Sequence, residues 1–253
     1  MTDQKLPITA DTKNTFAPIS PSIHEGVIQR HFATDPATRD VVFDPLLEGM
    51  ADAMQTLRLN VEKAKRVAQA IFANEMETIP ARHKRVKEES WRATQAGTKA
   101  IDAIFPRAQR EIEMIEQKIS APPRPADSAG HMLATEIRSR LSAMKPADRK
   151  KAIDAAMADG DDTVLGAVLN APPILSGVGS NEEMAMLRTR WQRARHGADV
   201  NRLERIKQAM DDLTRAGTIA NSYTARLANS KIIDQAEAKA QAVKDAISGA
   251  IAS

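Results

Sequence analysis

Three aspartates, Asp159, Asp161 and Asp162, surround Gly160 and form the part of this sequence that comes closest to a metal-binding motif. An EF-hand loop needs oxygen ligands at alternate positions, a glycine at position 6 and a bidentate glutamate at position 12. If Asp159 took position 1, position 6 would be a valine and position 12 an asparagine. We therefore predict that Gly160 ends one helix and that Asp161 or Asp162 caps the next.

The histidines and paired glutamates are the other residues whose types suit catalysis or metal binding. The five histidines are His24, His31, His83, His131 and His196. No two of them have the i, i+4 spacing of a zinc-binding helix, so we expect them on the surface or partly packed. Glu113 and Glu116 share a helix face, but di-iron bundles also need Glu-x-x-His pairs, which this sequence lacks. We predict a non-enzymatic protein without catalytic residues, metal, cofactor or small-molecule substrate.

A basic cluster around one tryptophan is the best candidate for a binding surface. The residues that we assign to nucleic-acid contact are Arg188, Arg190, Trp191, Arg193 and Arg195. Arginine binds phosphate and tryptophan stacks on bases. On a helix these arginines spread around the axis and form no stripe, so the competing interpretation is a solvated face with Trp191 packed inside the domain.

The composition favours helices. Hydrophobic residues make up 42% of the 253 residues but aromatic residues only 3%, which predicts an all-α fold packed through narrow seams. The net charge of +3 permits nucleic-acid binding without requiring it. The sequence has no cysteine, and no apolar run approaches the ~20 residues of a membrane span. The first residues lack the apolar core of a signal peptide, so we expect no membrane partner.

Two segments carry apolar residues in alternating steps of three and four, which is the a/d spacing of a coiled coil. The first follows Asp44 and Pro45, a good N-cap and first helical residue, and should end near Ile79 because Pro80 disfavours helix in the residue before it. The second runs from about residue 199 into the 240s. The residues that we assign to helix packing are Met50, Met54, Leu57, Val61, Ile71, Leu203, Ile206, Met210 and Leu213.

Another long helix is predicted at about 81–119, where small residues at Ala93 and Gly97 permit close approach of a second helix. Pro106 should kink or split it. With the preceding helix it forms either an antiparallel hairpin, which we favour, or one kinked rod, since no Gly or Asn turn accompanies Pro80.

The chain is expected to divide into four regions. Residues 1–43, rich in proline and without lasting periodicity, should form an extended arm that is disordered or lies along a partner. Residues 44–119 form the long-helix hairpin or rod, and residues 120–130, with three prolines in four positions, form a linker between domains. Residues 131–253 form a helical domain that ends in a long helix, whose alanine-rich tail should fray or pack against another subunit.

The stretch "EIRSRLSAMKPADRKKAIDAAMADGDDTVLGAVLNAPPILSGV", residues 136–178, resembles segments of uncharacterised helical proteins encoded among tailed-phage structural genes. The likeness covers less than a fifth of the chain and brings no catalytic residue with it. It implies a component of a virion, with a cytoplasmic location if the chain is not phage-encoded.

The two apolar seams, the extended N-terminal arm and the resemblance of residues 136–178 together predict a structural or assembly protein. It should bind its own copies, or a larger protein shell or connector, through long helices. The alternative is a nucleic-acid-binding accessory protein that uses the basic region 188–205.

Overall fold

The computed structural model of the protein describes residues 16–252, with the backbone alone at residues 249, 251 and 252. Over these residues the chain is about 79% helical, which confirms the predicted all-α fold class. The described elements, in chain order, are a 3₁₀ turn (Pro21–Ile23), α1 (Gly26–Gln29), β1 (Ala33–Thr34), β2 (Val41–Val42), α2 (Pro45–Phe72), α3 (Ile79–Ser120), α4 (Ser128–Ala143), α5 (Pro146–Asp159), α6 (Asp162–Leu169), α7 (Pro173–Ser176), α8 (Asn181–Ala225) and α9 (Ser230–Ala252).

The contacts divide the chain into two compact units. The first combines the described residues up to Gln109 with those from Ile206 onward, and the second is Arg110–Arg205. Both divisions therefore fall inside long helices, α3 and α8. The sequence placed the division at residues 120–130, because a proline cluster stops helix formation; a stretch without helix is nevertheless able to pack inside one unit.

In the first unit, α2 and α3 pack against each other in antiparallel directions. A Cβ atom at Gly97 would lie 3.0 Å from Cδ1 of Leu57, and one at Gly49 would lie 3.1 Å from Cδ1 of Ile104. Residues near the start of α2 thus lie beside residues far along α3, and later residues of α2 lie beside earlier residues of α3, so the two helices run in opposite directions. The absence of a side chain at Gly97 lets the two backbones come close, as the sequence suggested.

The turn between α2 and α3 differs from the predicted one. Helix α2 ends at Phe72, not near Ile79, and α3 then begins at Ile79 with Pro80 in its first turn, where a missing N–H removes no helical hydrogen bond. The side chain of Asn74 makes the turn by accepting from the N–H of Met76 at 3.1 Å. The predicted end of α2 was wrong because Pro80 starts a helix instead of stopping one.

Residues 17–31 differ from the predicted extended arm. Ile23 and Ile28 are fully buried in the first unit, and Glu25 binds the guanidinium of Arg58 on α2 at 2.8 and 3.0 Å. The hydroxyl of Tyr223 on α8 donates to the carbonyl of Ala17 at 2.9 Å. This segment therefore folds onto its own chain; the rest of the arm, residues 1–15, lies outside the described residues.

Eight of the nine residues assigned to helix packing are buried: Met50, Met54, Leu57, Val61, Ile71, Leu203, Ile206 and Leu213. The ninth, Met210, is partly exposed, and the fully buried Ala209 takes the inward position instead. The buried positions on this part of α8 are 203, 206, 209 and 213, which are spaced by three, three and four residues. A regular alternation of three and four therefore predicts position 210 in place of position 209. Asp44 caps α2 as predicted, accepting from the N–H of Leu46 at 3.0 Å.

The second unit packs short helices around Trp191. Its core joins α4, α5, α6 and α8 through nine buried residues: Leu141, Ile153, Ala156, Leu165, Val168, Leu169, Met184, Leu187 and Trp191. The proline segment lies against α6, because Gly166 has no side chain where the Pro123 carbonyl approaches and Asn170 donates to that carbonyl at 2.7 Å. His196 has non-helical backbone angles, with φ of −127° and ψ of 31°, which interrupt α8.

Candidate functional site

The aspartates around Gly160 act as helix caps. Gly160 ends α5 in the left-handed conformation, with φ of 73°, which a glycine adopts without steric cost. The carboxylate of Asp161 caps α6 by accepting from the N–H groups of Thr163 at 2.9 Å and Val164 at 3.1 Å. The prediction of helix boundaries here is confirmed, and the Asp161 oxygen that accepts both bonds is committed to the backbone.

Trp191, the only aromatic residue of the basic cluster, is 2% exposed and lies in the core of the second unit. Its indole packs edge-on against the ring of His196, with ring centroids 5.3 Å apart. The Nε1–H group is buried without a hydrogen-bond partner within residues 16–252. A buried indole is unable to stack on a nucleotide base, so the candidate nucleic-acid surface loses its stacking residue.

Two arginines of the same cluster hold neighbouring helices of the second unit. Arg188 donates to the carbonyl of Leu169, at the C-terminus of α6, at 3.0 Å. Arg190 binds Asp154 on α5 at 2.8 Å. Hydrogen bonds from Lys150 and then from Arg190 lower the pKa of that carboxyl. These guanidinium groups neutralise helix ends and carboxylates of their own unit, which is a structural role.

Arg195 joins the cluster to the aspartate loop. It donates to the carbonyl of Gly160 and binds Asp162 at 2.7 Å. The remaining member, Arg193, is exposed. The structure thus brings the two sequence motifs together, but as one helix-end contact instead of a shared binding site.

A buried ionic cluster in the first unit was not found from the sequence. The carboxylate of Asp212 on α8 is 6% exposed and is bound by Arg30 at 2.7 Å and by Nε2 of His31 at 2.8 Å. Burial alone would raise the pKa of Asp212, but the hydrogen bonds and charges of His31 and Arg30 outweigh it and lower the pKa. About 180 residues separate the partners, so no local pattern indicates the pairing.

The Asp212 cluster resembles the base and orienting acid of a catalytic pair, yet its geometry serves docking. The same carboxylate oxygen binds both Nε2 of His31 and the guanidinium of Arg30. In a catalytic pair the acid holds one imidazole nitrogen and the other nitrogen acts as base. Here one oxygen of Asp212 binds Arg30 as well as His31, so the cluster fixes two consecutive residues of the segment around α1 to α8.

His83 is a second buried histidine, and it binds the backbone just before the N-terminus of α9. Its Nδ1 accepts the N–H of Asn229 at 3.1 Å, and its ring packs edge-on against Phe72 at 4.7 Å. Burial, followed by the positive charge of Arg82, lowers the pKa of His83, so the neutral ring that accepts this bond is favoured. The expectation of surface or partly packed histidines was therefore wrong for His31 and His83, which are 9% and 3% exposed.

Both units carry open grooves large enough for a side chain or a small molecule. The groove in the first unit has a volume of about 570 Å³ and lies between α3, α8 and α9, with the exposed indole of Trp91 at its edge. The groove in the second unit, of about 670 Å³, lies between α5 and α8 beside Asp154 and Arg190. In the second groove Lys150 and Arg190 both pair with Asp154, and Arg149 and Glu183 line the same groove.

Large apolar side chains are exposed on both units. In the second unit, Ile174 is 87% and Leu175 60% exposed on α7. In the first unit, Val243 is 58% and Ile247 55% exposed on α9. Exposed apolar side chains grouped on one element mark interaction surfaces more often than isolated ones do.

Comparison with models of protein families, with curated proteins and with solved structures gives no match for this chain. Between residues 16 and 252, no group of three or more His, Asp or Glu side chains has the arrangement to hold a metal ion. In the same part of the chain, none of the helices combines the length and the apolar character that crossing a membrane requires.

Proposed function

We propose that this protein is a non-enzymatic assembly protein that binds its own copies or a larger protein shell or connector, with a tailed-phage virion as its setting. The exposure of large apolar side chains on α7 and α9 carries the proposal, because apolar area in water is stabilised when a partner covers it. The virion setting rests on the resemblance of residues 136–178 alone.

The use of polar side chains inside each unit supports the same proposal. The groups with catalytic chemistry, His31, Asp212 and His83, hold helices and the segment before α2 in place. The basic groups Arg188 and Arg195 bind the ends of helices in their own unit. A scaffold that presents helix surfaces needs such internal connections, whereas an active site needs polar groups directed at a ligand.

The nucleic-acid alternative is less well supported. It depended on Trp191 and the arginines around it, and Trp191 is buried while Arg188, Arg190 and Arg195 have partners within the second unit. Phosphate binding by arginine requires a guanidinium that is able to leave or share its partner. Retention on double-stranded DNA that weakens steeply with salt would restore this alternative.

Incorporation into virus particles tests the proposal. The tagged chain would be produced during growth of a tailed phage that encodes it, and purified particles would be analysed by quantitative mass spectrometry. We expect a fixed number of copies per particle. The double variant Ile174→Asp/Leu175→Asp should lower that number, because it places charges on the exposed apolar surface of α7.

Met76→Asp is the matched control for that experiment. Met76 is 94% exposed and lies in the turn between α2 and α3, outside both α7 and α9. It should leave the copy number unchanged. Absence of the parent chain from purified particles would contradict the virion setting, and equal incorporation of all three chains would contradict the role of α7.

A further inference from the structure

Helix α9 is firmly anchored at its N-terminal end. The side chain of Asn229 caps it by accepting from the N–H of Lys231 at 3.1 Å, and Ile233 is 4% exposed. Glu237 binds Lys84 on α3 at 3.1 Å. The Asn229 cap and the buried side chain of Ile233 fix the first turn of α9 to the first unit, which sets the direction of the rest of the helix.

Beyond this anchor, every residue from 237 to 248 is exposed. Apolar residues nevertheless continue in steps of three and four along one face: Ile233, Ala236, Ala240, Val243 and Ile247. A helix of this length gains little from intrinsic propensity and is stabilised mainly when its apolar stripe is covered. The small side chains of Ala236 and Ala240 permit a second helix to approach closely. The stripe has the spacing of a coiled-coil seam without a described partner along residues 237–248.

The charges beside the stripe identify a partner. With Ile233, Ala240 and Ile247 at heptad position a, Glu237 and Lys244 both occupy position e, and Lys239 occupies position g. In an antiparallel pair of identical helices, position e faces position e of the other helix, so Glu237 meets Lys244 twice. In a parallel pair, position g faces position e of the next heptad, so Lys239 would meet Lys244 and repel it. The face is therefore complementary to itself only in the antiparallel orientation.

We infer that α9 pairs in antiparallel fashion with α9 of a second copy of this chain. The pairing covers Ala236, Ala240, Val243 and Ile247 and joins Glu237 of each copy to Lys244 of the other. This inference rests on the proposed assembly function, because it names the partner of one of its surfaces. The contact area of a few helical turns is small, so the pairing is reversible and depends on concentration.

Charge reversal tests the orientation. Glu237→Lys alone and Lys244→Glu alone each place like charges across the antiparallel pair, and each should weaken dimerisation about tenfold. The double variant Glu237→Lys/Lys244→Glu restores both attractions and should restore dimerisation. Loss of the exposed Lys84–Glu237 ion pair is expected to matter little, because such pairs contribute at most about 1 kcal/mol.

Sedimentation equilibrium gives the dissociation constants, and Leu59→Lys serves as the control. Leu59 is 47% exposed on α2, so it adds a charge at an apolar surface residue outside α9. Failure of the double variant to recover, with both single variants impaired, would contradict the antiparallel orientation. Equal association of the parent and both single variants would contradict the role of α9.

Disulfide crosslinking tests the register independently, because the natural chain has no cysteine. The register that joins Glu237 to Lys244 also places position 240 beside position 243 of the other copy. A mixture of Ala240→Cys and Val243→Cys chains should therefore form a mixed disulfide dimer far faster than either variant alone. Rapid crosslinking of Ala240→Cys with itself would show a parallel pair and overturn the inference.

The experiments distinguish failure of this inference from failure of the proposed function. If the parent chain enters particles or self-associates while the α9 variants behave like the parent, the inference fails and the assembly function stands. If the parent neither enters particles nor self-associates, both fail.

Discussion

Asp161 and Asp159 lie two residues apart, yet only Asp161 accepts hydrogen bonds from the start of α6. Replacing a carboxylate N-cap by alanine removes the partner of one or two backbone N–H groups. We expect Asp161→Ala to lower the free energy of unfolding by about 1 kcal/mol. Asp159→Ala, at an exposed position in the last turn of α5, should change it far less. Urea denaturation of both variants measures the difference.

The same pair of variants tests the rejected metal loop. If Asp159, Asp161 and Asp162 bound calcium, titration calorimetry would show a stoichiometric signal that Asp161→Ala abolishes. We expect no specific heat from calcium or magnesium, because the Asp161 oxygen already accepts two backbone hydrogen bonds.

A single residue, His83, is expected to make the free energy of unfolding depend on pH. Burial and Arg82 lower the pKa of His83 in the folded state, so the unfolded chain binds protons more readily as the pH falls below the ordinary histidine pKa of about 6.5. The sign is therefore a loss of stability on acidification, beginning near that pH and growing until the folded-state ring also titrates.

Urea denaturation at pH 7.5 and pH 5.5 measures this effect. His83→Gln should show a smaller loss between the two pH values than the parent chain, because its amide does not titrate. His131→Gln, at an exposed histidine, should retain the loss of the parent. An identical pH slope for the parent and His83→Gln would exclude burial of His83 as its cause.

On the scale of elements, the seam between α2 and α3 depends on one close approach. Leu57 is fully buried against Gly97, so Leu57→Asp would place an unpaired charge inside the hairpin. We expect a loss of about 3 kcal/mol or more in the free energy of unfolding. Leu59→Asp, two residues along the same helix but 47% exposed, should cost much less. Parent-like melting of Leu57→Asp would refute this packing.

The contact of the proline segment with α6 gives a matched test with two glycines. A Cβ atom at Gly166 would overlap the carbonyl oxygen of Pro123, whereas one at Gly197 would meet no atom within 4 Å. Gly166→Ala should therefore destabilise the second unit by about 1–3 kcal/mol. Gly197→Ala should be neutral or stabilise it by up to about 1 kcal/mol, because alanine favours helix. Thermal unfolding that ranks the two variants in the opposite order would refute the docked segment.

The buried faces of the long helices could be predicted because the spacing of apolar residues within one helix is enough to identify them. Spacings of three and four residues identify the buried face of α2 without knowledge of its partner, and only Met210 on α8 was misplaced. The cap at Asp44 and the helix stop at Gly160 are equally local, since each depends on atoms within a few residues.

Features that depend on distant residues escaped the sequence analysis. The segment around α1 looked like an unsupported arm because its partners, Arg58 and Asp212, lie far along the chain. Pro80 looked like a helix stop because the Asn74 turn that frees it to start α3 is made by a side-chain hydrogen bond. The basic cluster looked like a surface because spacing alone does not show that Trp191 points into a core.

For the molecule as a whole, the segment before α2 contributes to the stability of the fold. Deleting residues 1–31 would remove the buried side chains of Ile23 and Ile28 and leave Asp212 without His31 and Arg30. We expect the free energy of unfolding to fall by several kcal/mol. Urea denaturation measures it, and a midpoint equal to that of the parent would contradict the docking of this segment.

The central claim is that copies of this chain associate with one another through exposed helix surfaces. Sedimentation equilibrium of the full chain over a series from about 1 to 200 µM, the range in which weak interfaces dissociate, tests it most directly. The account predicts a weight-average mass that rises with concentration above the 27.6 kDa of one chain. A mass that stays at 27.6 kDa throughout the series would contradict it.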